Sequence, residues 1–366
     1  MLLAATAIAT GTAARGQEPH RIRLRPPDWV AGVEFTKITS VRELSDGILV
    51  GDALEDRLVF LDWHSGAATE IGRVGPGPGE YRGVGRLYPL PADSTLFVDS
   101  YSWRWNLLAG PLIVSTIGEN RVLNRLLGRH LSGLDARGRV VGRGRLRRSD
   151  VRARRGAPDS VPLLMGQRAS EHLDTIAQLD ALDRSGATRL PARDGLLPAL
   201  IGNNPLASQD EALLFLDGWV AIARTEPYRV DWRSPDGRRM QGPALPFDRI
   251  EVDRREKCAA IERLFRGRRR CEPSILPGWP ETVPPFLPDP RVPVLFAAPD
   301  GAVVITRAPT ADSRGHRYDV VDRKGRLVGV IQLPAEVRLI GFGPHSVYTV
   351  LTDSLDLQTL RRHPWP

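Results

Sequence analysis

The feature that most constrains this chain is a repeat. Short apolar runs joined by turn residues return about every 45 residues, so whatever fold forms must be built from one small antiparallel unit used many times. The first unit is the clearest. Residues 40–44 alternate, Asp46-Gly47 interrupts them, and 48–50 follow. Asp-Gly between apolar runs is a strong hairpin signal. Residues 57–61 form a third strand, His64-Ser65-Gly66 turns the chain, and 68–71 form a fourth.

The unit returns at 86–90, 95–98, 104–108 and 111–116, then at 131–135, 139–142, 161–166 and 172–179. It returns again at 211–216, 219–223, 228–233 and 240–244, and at 294–298, 302–306, 318–322 and 327–332. The last unit has three strands only: 337–342, 346–351 and 355–361. A sheet short of one strand exposes an edge, and natural proteins cover such edges. Residues 20–25 or 33–38 are placed to supply the missing strand and so close the ring. The expected fold is therefore all-β: a six-bladed β-propeller with four-stranded antiparallel blades, closed by an N-terminal strand and carrying one helical insertion. Seven blades would result if 182–204 held strands. Two β-sandwiches are the other architecture, but they need larger sheets and Greek-key crossovers.

The length of 366 residues suits one repeat domain over 20–366, with insertions at about 143–159 and 245–293. The helix is expected at 253–265, where Ala259, Ile261, Leu264 and Phe265 recur at helical spacing. Residues 273–293 are proline-rich and expected to form an ordered crossing loop. Residues 1–16 resemble a signal peptide, with a small apolar run at 2–14 and a cleavage-like Ala13-Ala14, although a basic start is missing. Secretion or a periplasmic location follows as the expectation, since so short a run cannot span a bilayer. In an oxidising compartment the two cysteines, Cys258 and Cys271, are expected to pair. The net charge of +8 comes almost wholly from arginine, which fits compositional bias better than a nucleic-acid surface.

One string is distinctive. Ile71-Gly72-Arg73 runs on to Gly77-Pro78-Gly79-Glu80-Tyr81. It lacks the Gly-Lys-Ser/Thr ending of a phosphate loop, and its prolines remove N–H donors that such a loop needs. The string resembles a signature of bacterial six-bladed propellers related to the NHL-repeat group. Residues 317–322, Gly341-Phe342-Gly343 and Val347-Tyr348 resemble the last two blades of that group. The resemblance implies export and a propeller fold, and implies no particular activity.

Function is expected on the face that carries the long segments 74–85, 118–130, 143–159, 181–209, 245–293 and 308–316, because elaborated loops on a rigid scaffold carry most sites. The second strand of each blade ends on that face. Asp52, Asp99, Arg143, Arg224 and Arg307 are thus candidates for a channel-mouth ligand site, with Glu80 and Tyr81 anchoring a neighbouring loop. The opposing reading pairs these groups with one another and with backbone between blades. Catalytic machinery is not evident. The seven histidines are scattered, no Gly-X-Ser-X-Gly elbow occurs, and Glu80, Asp99 and Asn203 or Asn204 make an oxygen site for a divalent cation only by assumption. The expected role is a monomeric binding module for a protein, peptide or sugar of the cell envelope, without a cofactor. A metal-dependent hydrolase or lyase is the alternative. Arginine-rich stretches at 143–155 and 266–270 suggest polyanions as a third ligand class. Tyr101, Trp103 and Trp105 read as one side of a packed strand.

Overall fold

The structure, a computed structural model, describes residues 19–77, 79–99, 101–102, 104–117, 131–144, 160–167, 172–180, 204–265, 271–273, 278–288 and 293–366. The chain forms a six-bladed β-propeller. Blade I is built from Ile38–Glu43, Gly47–Asp52, Arg57–Asp62 and Ala68–Glu70. Blade II is Val84–Pro89, Ser94–Asp99, Trp105–Ala109 and Leu112–Ile117. Blade III is Leu131–Leu134, Arg139–Arg143, Ser160–Gln167 and Leu173–Asp180. Blade IV is Glu211–Leu214, Val220–Arg224, Arg229–Arg233 and Arg239–Met240. Blade V is Leu295–Ala297, Val303–Thr306, Gly315–Val321 and Leu327–Pro334. Blade VI is Val337–Phe342, Ser346–Thr352 and Gln358–Pro364, completed by Trp29–Val30.

The core is six wedges, each between two neighbouring blades. Leu49 and Leu58 of blade I meet Leu87, Phe97 and Leu108 of blade II. Equivalent clusters join II to III, III to IV, IV to V and V to VI. The sixth wedge closes the ring: Ile38, Ile48 and Val50 of blade I pack on Ile340, Tyr348 and Val350 of blade VI, with Phe35 among them. A middle strand must bury both faces in such a ring. Gly47–Asp52 does so, with all six residues buried.

The N-terminal segment closes the last blade, but through a different stretch from those expected. Trp29–Val30 pairs antiparallel with Gln358–Pro364, and Phe35 makes an isolated bridge to Gln358. Residues 20–25 instead place Arg21–Ile22 parallel on the outer strand of blade V. One segment thus covers two adjacent edges. Three other boundaries also move. The outer strand of blade IV stops at Met240, because Pro243 and Pro246 follow and cannot donate to a ladder. The last strand starts at Gln358 and runs to Pro364. Tyr101 lies exposed in a turn, so only Trp105 packs between blades II and III, while Trp103 lies outside the described residues.

Tyrosines clip the ring together. Five of the six bond across a blade junction. Tyr81 Oη accepts from the Leu58 amide at 2.9 Å, and Tyr88 Oη donates to the Leu131 carbonyl at 3.1 Å. Tyr228 Oη donates to Asp319 at 2.9 Å, and Tyr348 Oη donates to Glu43 at 2.6 Å. Tyr318 Oη accepts from the Leu339 amide at 2.9 Å. Burial pushes the Tyr318 phenol up to about 12, against the lowering effect of that amide. A raised folded value means its contribution is intact below the ordinary value of 10 and is lost as pH climbs from there toward 12. Tyr318→Phe is therefore expected to lose about 1 kcal/mol at pH 7, from the orphaned Leu339 amide. It should also fall less steeply than the wild type between pH 10 and 12, read by thermal unfolding at each pH.

The insertion holds the helix Arg254–Phe265, capped by the Asp253 carboxylate on the Glu256 amide at 2.9 Å. Ala260 packs with Leu206, Val252 and Val283 in a satellite core, and Ile261 is buried beside it in the sequence. The buried Glu256 carboxylate accepts the Ala311 amide, tying the helix to the loop after the second strand of blade V. Cys258 and Cys271 form a disulfide, as expected.

Candidate functional site

Asp52 and Asp99 close the second strands of blades I and II and are fully buried. Asp52 accepts the amides of Thr36 and Lys37 at 3.0 and 2.9 Å and the Thr36 hydroxyl at 2.8 Å. Asp99 accepts the amides of Arg82, Tyr101 and Ser102 at 2.8–3.0 Å, and the Ser102 hydroxyl. Burial pushes both carboxyls up, but these bonds outweigh it and hold both below the ordinary aspartate value. Each acid thereby fixes the chain that enters or leaves its own blade.

The three arginines are tied in the same way. Arg224 bonds Asp210 at 2.7 Å and Asp231 at 3.0 Å. Arg143 reaches Gln209 Oε1 at 2.5 Å and the Asp210 carbonyl, so Asp210 brings Arg143 and Arg224 together. Arg307 bonds Asp319 at 2.7 Å and lies 5.0 Å and 4.9 Å above the rings of Tyr228 and Phe247. Asp52, Asp99 and Arg307 thus remain at three separate blade junctions, while Arg143 and Arg224 share one.

Glu80 and Tyr81 explain the distinctive string. Arg73–Val74 and Glu80–Tyr81 pair as a small parallel ladder within the blade-to-blade loop that Glu80 and Tyr81 were expected to anchor. Glu80 accepts the Gly77 amide at 2.7 Å and the Arg73 guanidinium at 2.5 Å, and these bonds hold its carboxyl below the ordinary value. Gly72 has φ +67° and calls for glycine, and a Cβ on Gly75 would lie 2.1 Å from Glu80 Oε2, so a larger residue there would displace the Glu80 carboxylate. Tyr81 packs edge-on against Phe97 at 5.2 Å. The string is a fitted wedge between blades I and II.

The innermost strands bring a second group of residues together on the loop-rich face. Arg86 of blade II, Ser132 of blade III, Glu211 to Leu213 of blade IV, and Val294 and Leu295 at blade V surround a cavity of about 40 Å³. Glu211 Oε1 accepts Gln209 Nε2 at 2.8 Å and lies 3.8 Å from Arg143. Arg86 faces Glu211 with no ion pair between them. Burial pushes the Glu211 carboxyl up, opposed by Arg143, Gln209 and Arg86 and reinforced by Asp210. A carboxylate whose ionised form burial disfavours, beside a cavity, marks a candidate functional site. The cavity admits the tip of a ligand, since whole small-molecule sites run to roughly 300 Å³ or more.

Of the residues expected at the mouth, Arg143 alone joins this group, through Gln209 and Glu211. Sequence reasoning missed Arg86, Ser132, Gln209 and Glu211 because it followed the ends of the second strands. The channel is lined by the first strands, and a charged residue within one of those, such as Arg86, was the available signal. Among the described residues no group of three or more His, Cys, Asp or Glu side chains comes together to hold a metal ion. Most of the arginine-rich stretch at 143–155, all of 266–270, and Asn203 lie outside the described residues.

No family model matches the chain, and no curated protein matches it. Solved structures do. A candidate exported protein of Bacteroides fragilis NCTC 9343 superposes with a TM-score of 0.50 at 10% identity, covering 95% of each chain. Virginiamycin B lyase of Staphylococcus aureus gives 0.44 at 8%, over 90% of this chain and 96% of the lyase. A calcium-binding regucalcin of Agrobacterium tumefaciens gives 0.41 at 12%, over 91% and 93%. The likeness is one of fold.

Proposed function

We propose that this chain is an exported propeller that binds a peptide, sugar or protein partner through its loop-rich face, with the axial pocket between Arg86 and Glu211 as the point of contact. The carrying observation is Glu211: a carboxylate destabilised by burial, braced on one oxygen by Gln209 and Arg143, and bordering a cavity. Protein stability alone does not call for such a group at the channel mouth. Asp52, Asp99, Arg224, Arg307, Glu80 and Tyr81 serve as the frame that holds the surrounding loops. The reading calls on no cofactor, and the unit is proposed to act as a monomer formed by residues 20–366.

Export rests on the apolar run at 2–14 and on the disulfide, which persists in oxidising compartments. No helix among the described residues is long and apolar enough to cross a membrane. Kinship with the NHL-related propellers rests on the 71–81 string. The test is a peptide and glycan array probed with the wild type and with Arg86→Met. Array signals that Arg86→Met reduces at least about tenfold, the scale of one lost hydrogen bond to a charged group, support the site. Signals unchanged in Arg86→Met would move the site elsewhere. The Glu226→Ala control alters an exposed pair with Arg249 and is expected to bind as the wild type does.

A further inference from the structure

The two charges of the axial pocket are arranged for a ligand of a particular kind, and this inference rests on the binding role just proposed. Glu211 and Arg86 border the same cavity and form no ion pair with each other, and the Arg86 side chain also interacts with the Tyr88 hydroxyl. Glu211 Oε1 is occupied by Gln209 Nε2 at 2.8 Å. Glu211 Oε2 has no hydrogen-bond partner among the described residues. Arg86 brings donors only, and ionised Glu211 brings an acceptor only. The remaining walls are Ala212, Leu213, Val294 and Leu295, which are apolar, and Ser132, whose hydroxyl can donate or accept.

A group that satisfies both sides must accept from Arg86 and donate to Glu211. A carboxylate would meet Arg86 but be repelled by Glu211, and an ammonium would suffer the reverse. A hydroxyl offers both functions but carries a single proton, so it makes fewer bonds to the two charged groups than a carboxamide, which has two N–H donors and a carbonyl with two lone pairs. A carboxamide places acceptor and donor on different atoms, is neutral, and is small enough for a cavity of about 40 Å³. We infer that the axial pocket recognises a carboxamide, the side-chain tip of an Asn or Gln in a peptide, with its carbonyl on Arg86 and its NH₂ on Glu211.

The test uses the full-length protein with ¹³C-labelled Leu and Val methyl groups and four three-carbon probes: propionamide, propionate, propylamine and propanol. The expected result is that propionamide shifts the methyls of Leu213, Val294 and Leu295 saturably, about tenfold more tightly than each other probe, the scale of one hydrogen bond to a charged group. Arg86→Met should abolish the preference while leaving the remaining methyl spectrum in place. Tighter binding of propionate, propylamine or propanol at these methyls would overturn the carboxamide assignment and leave the axial site standing. Propionamide shifts confined to other methyls, or none at all, would overturn the assignment too. The array experiment with Arg86→Met then decides separately whether the axial site survives.

Discussion

Phe35→Ala is expected to destabilise the protein by about 3–5 kcal/mol, the range for removing a fully buried aromatic ring. Phe35 is 1% exposed and sits in the wedge between blades I and VI with Ile38, Ile48, Tyr348 and Leu360. Its backbone exchanges two hydrogen bonds with Gln358, at 2.9 and 2.7 Å. The Gln358 side chain in turn accepts the Ile38 amide at 2.8 Å. Phe35 therefore lies where the first residues of the ring are sewn to the last. Every other wedge joins blades that are consecutive in sequence, whereas this one spans more than three hundred residues. Loosening it should lower the unfolding midpoint in denaturant and expose the outer edge of blade VI, seen as faster amide exchange in Gln358–Pro364. An equivalent loss elsewhere, such as Leu179→Ala in the wedge between blades III and IV, should leave exchange in that strand unchanged.

Asp52→Ala is the second large effect, at roughly 3 kcal/mol or more. It leaves the amides of Thr36 and Lys37 without their acceptor beside a fully buried site, and each orphaned buried donor costs about 1–3 kcal/mol. The pH dependence follows from the lowered carboxyl. A folded value below the unfolded one gives a contribution that is present above the unfolded value and is lost as pH falls through the folded value. Wild-type stability should therefore fall below about pH 4. Asp52→Asn, already weakened, should fall less over the same interval. Thermal unfolding from pH 7 to pH 3 reads both.

The architecture was legible because a propeller repeats one pattern six times. Asp46-Gly47, Asp217-Gly218 and Asp300-Gly301 punctuate alternating strands, and an error in one unit is corrected by the others. Gly47 was read as a turn former, yet its closest constraint is steric: a Cβ there would lie 2.3 Å from the Leu61 carbonyl oxygen. The closing strand was harder. Trp29–Val30 is two residues long and follows Pro26-Pro27, so no periodicity marks it, and only the edge of Gln358–Pro364 selects it. The mouth was harder still. Asp52, Asp99, Arg224 and Arg307 look like ligand groups in sequence because charge at a strand end suggests exposure. In the fold, buried amides and neighbouring charges occupy them. Glu211 follows Asp210 directly, and sequence alone does not say which of the two faces the channel. Packing turns Asp210 toward Thr225 and Arg224 and leaves Glu211 at the cavity.

The central claim is that Glu211 is held at the axial pocket at a cost to stability, while the acids at the strand ends hold the ring together. Thermal unfolding of Glu211→Gln and Asp99→Asn at pH 7 tests it most directly. A carboxyl raised by burial weighs against the fold wherever it is ionised, and that weight vanishes below the unfolded value, where both states carry the proton. Glu211→Gln should therefore melt higher than the wild type at pH 7, on the order of a degree or two, and equal to it near pH 4. Asp99→Asn should melt several degrees lower. If both variants melt lower at pH 7, Glu211 is one more structural carboxylate and the axial pocket loses its claim to be the site.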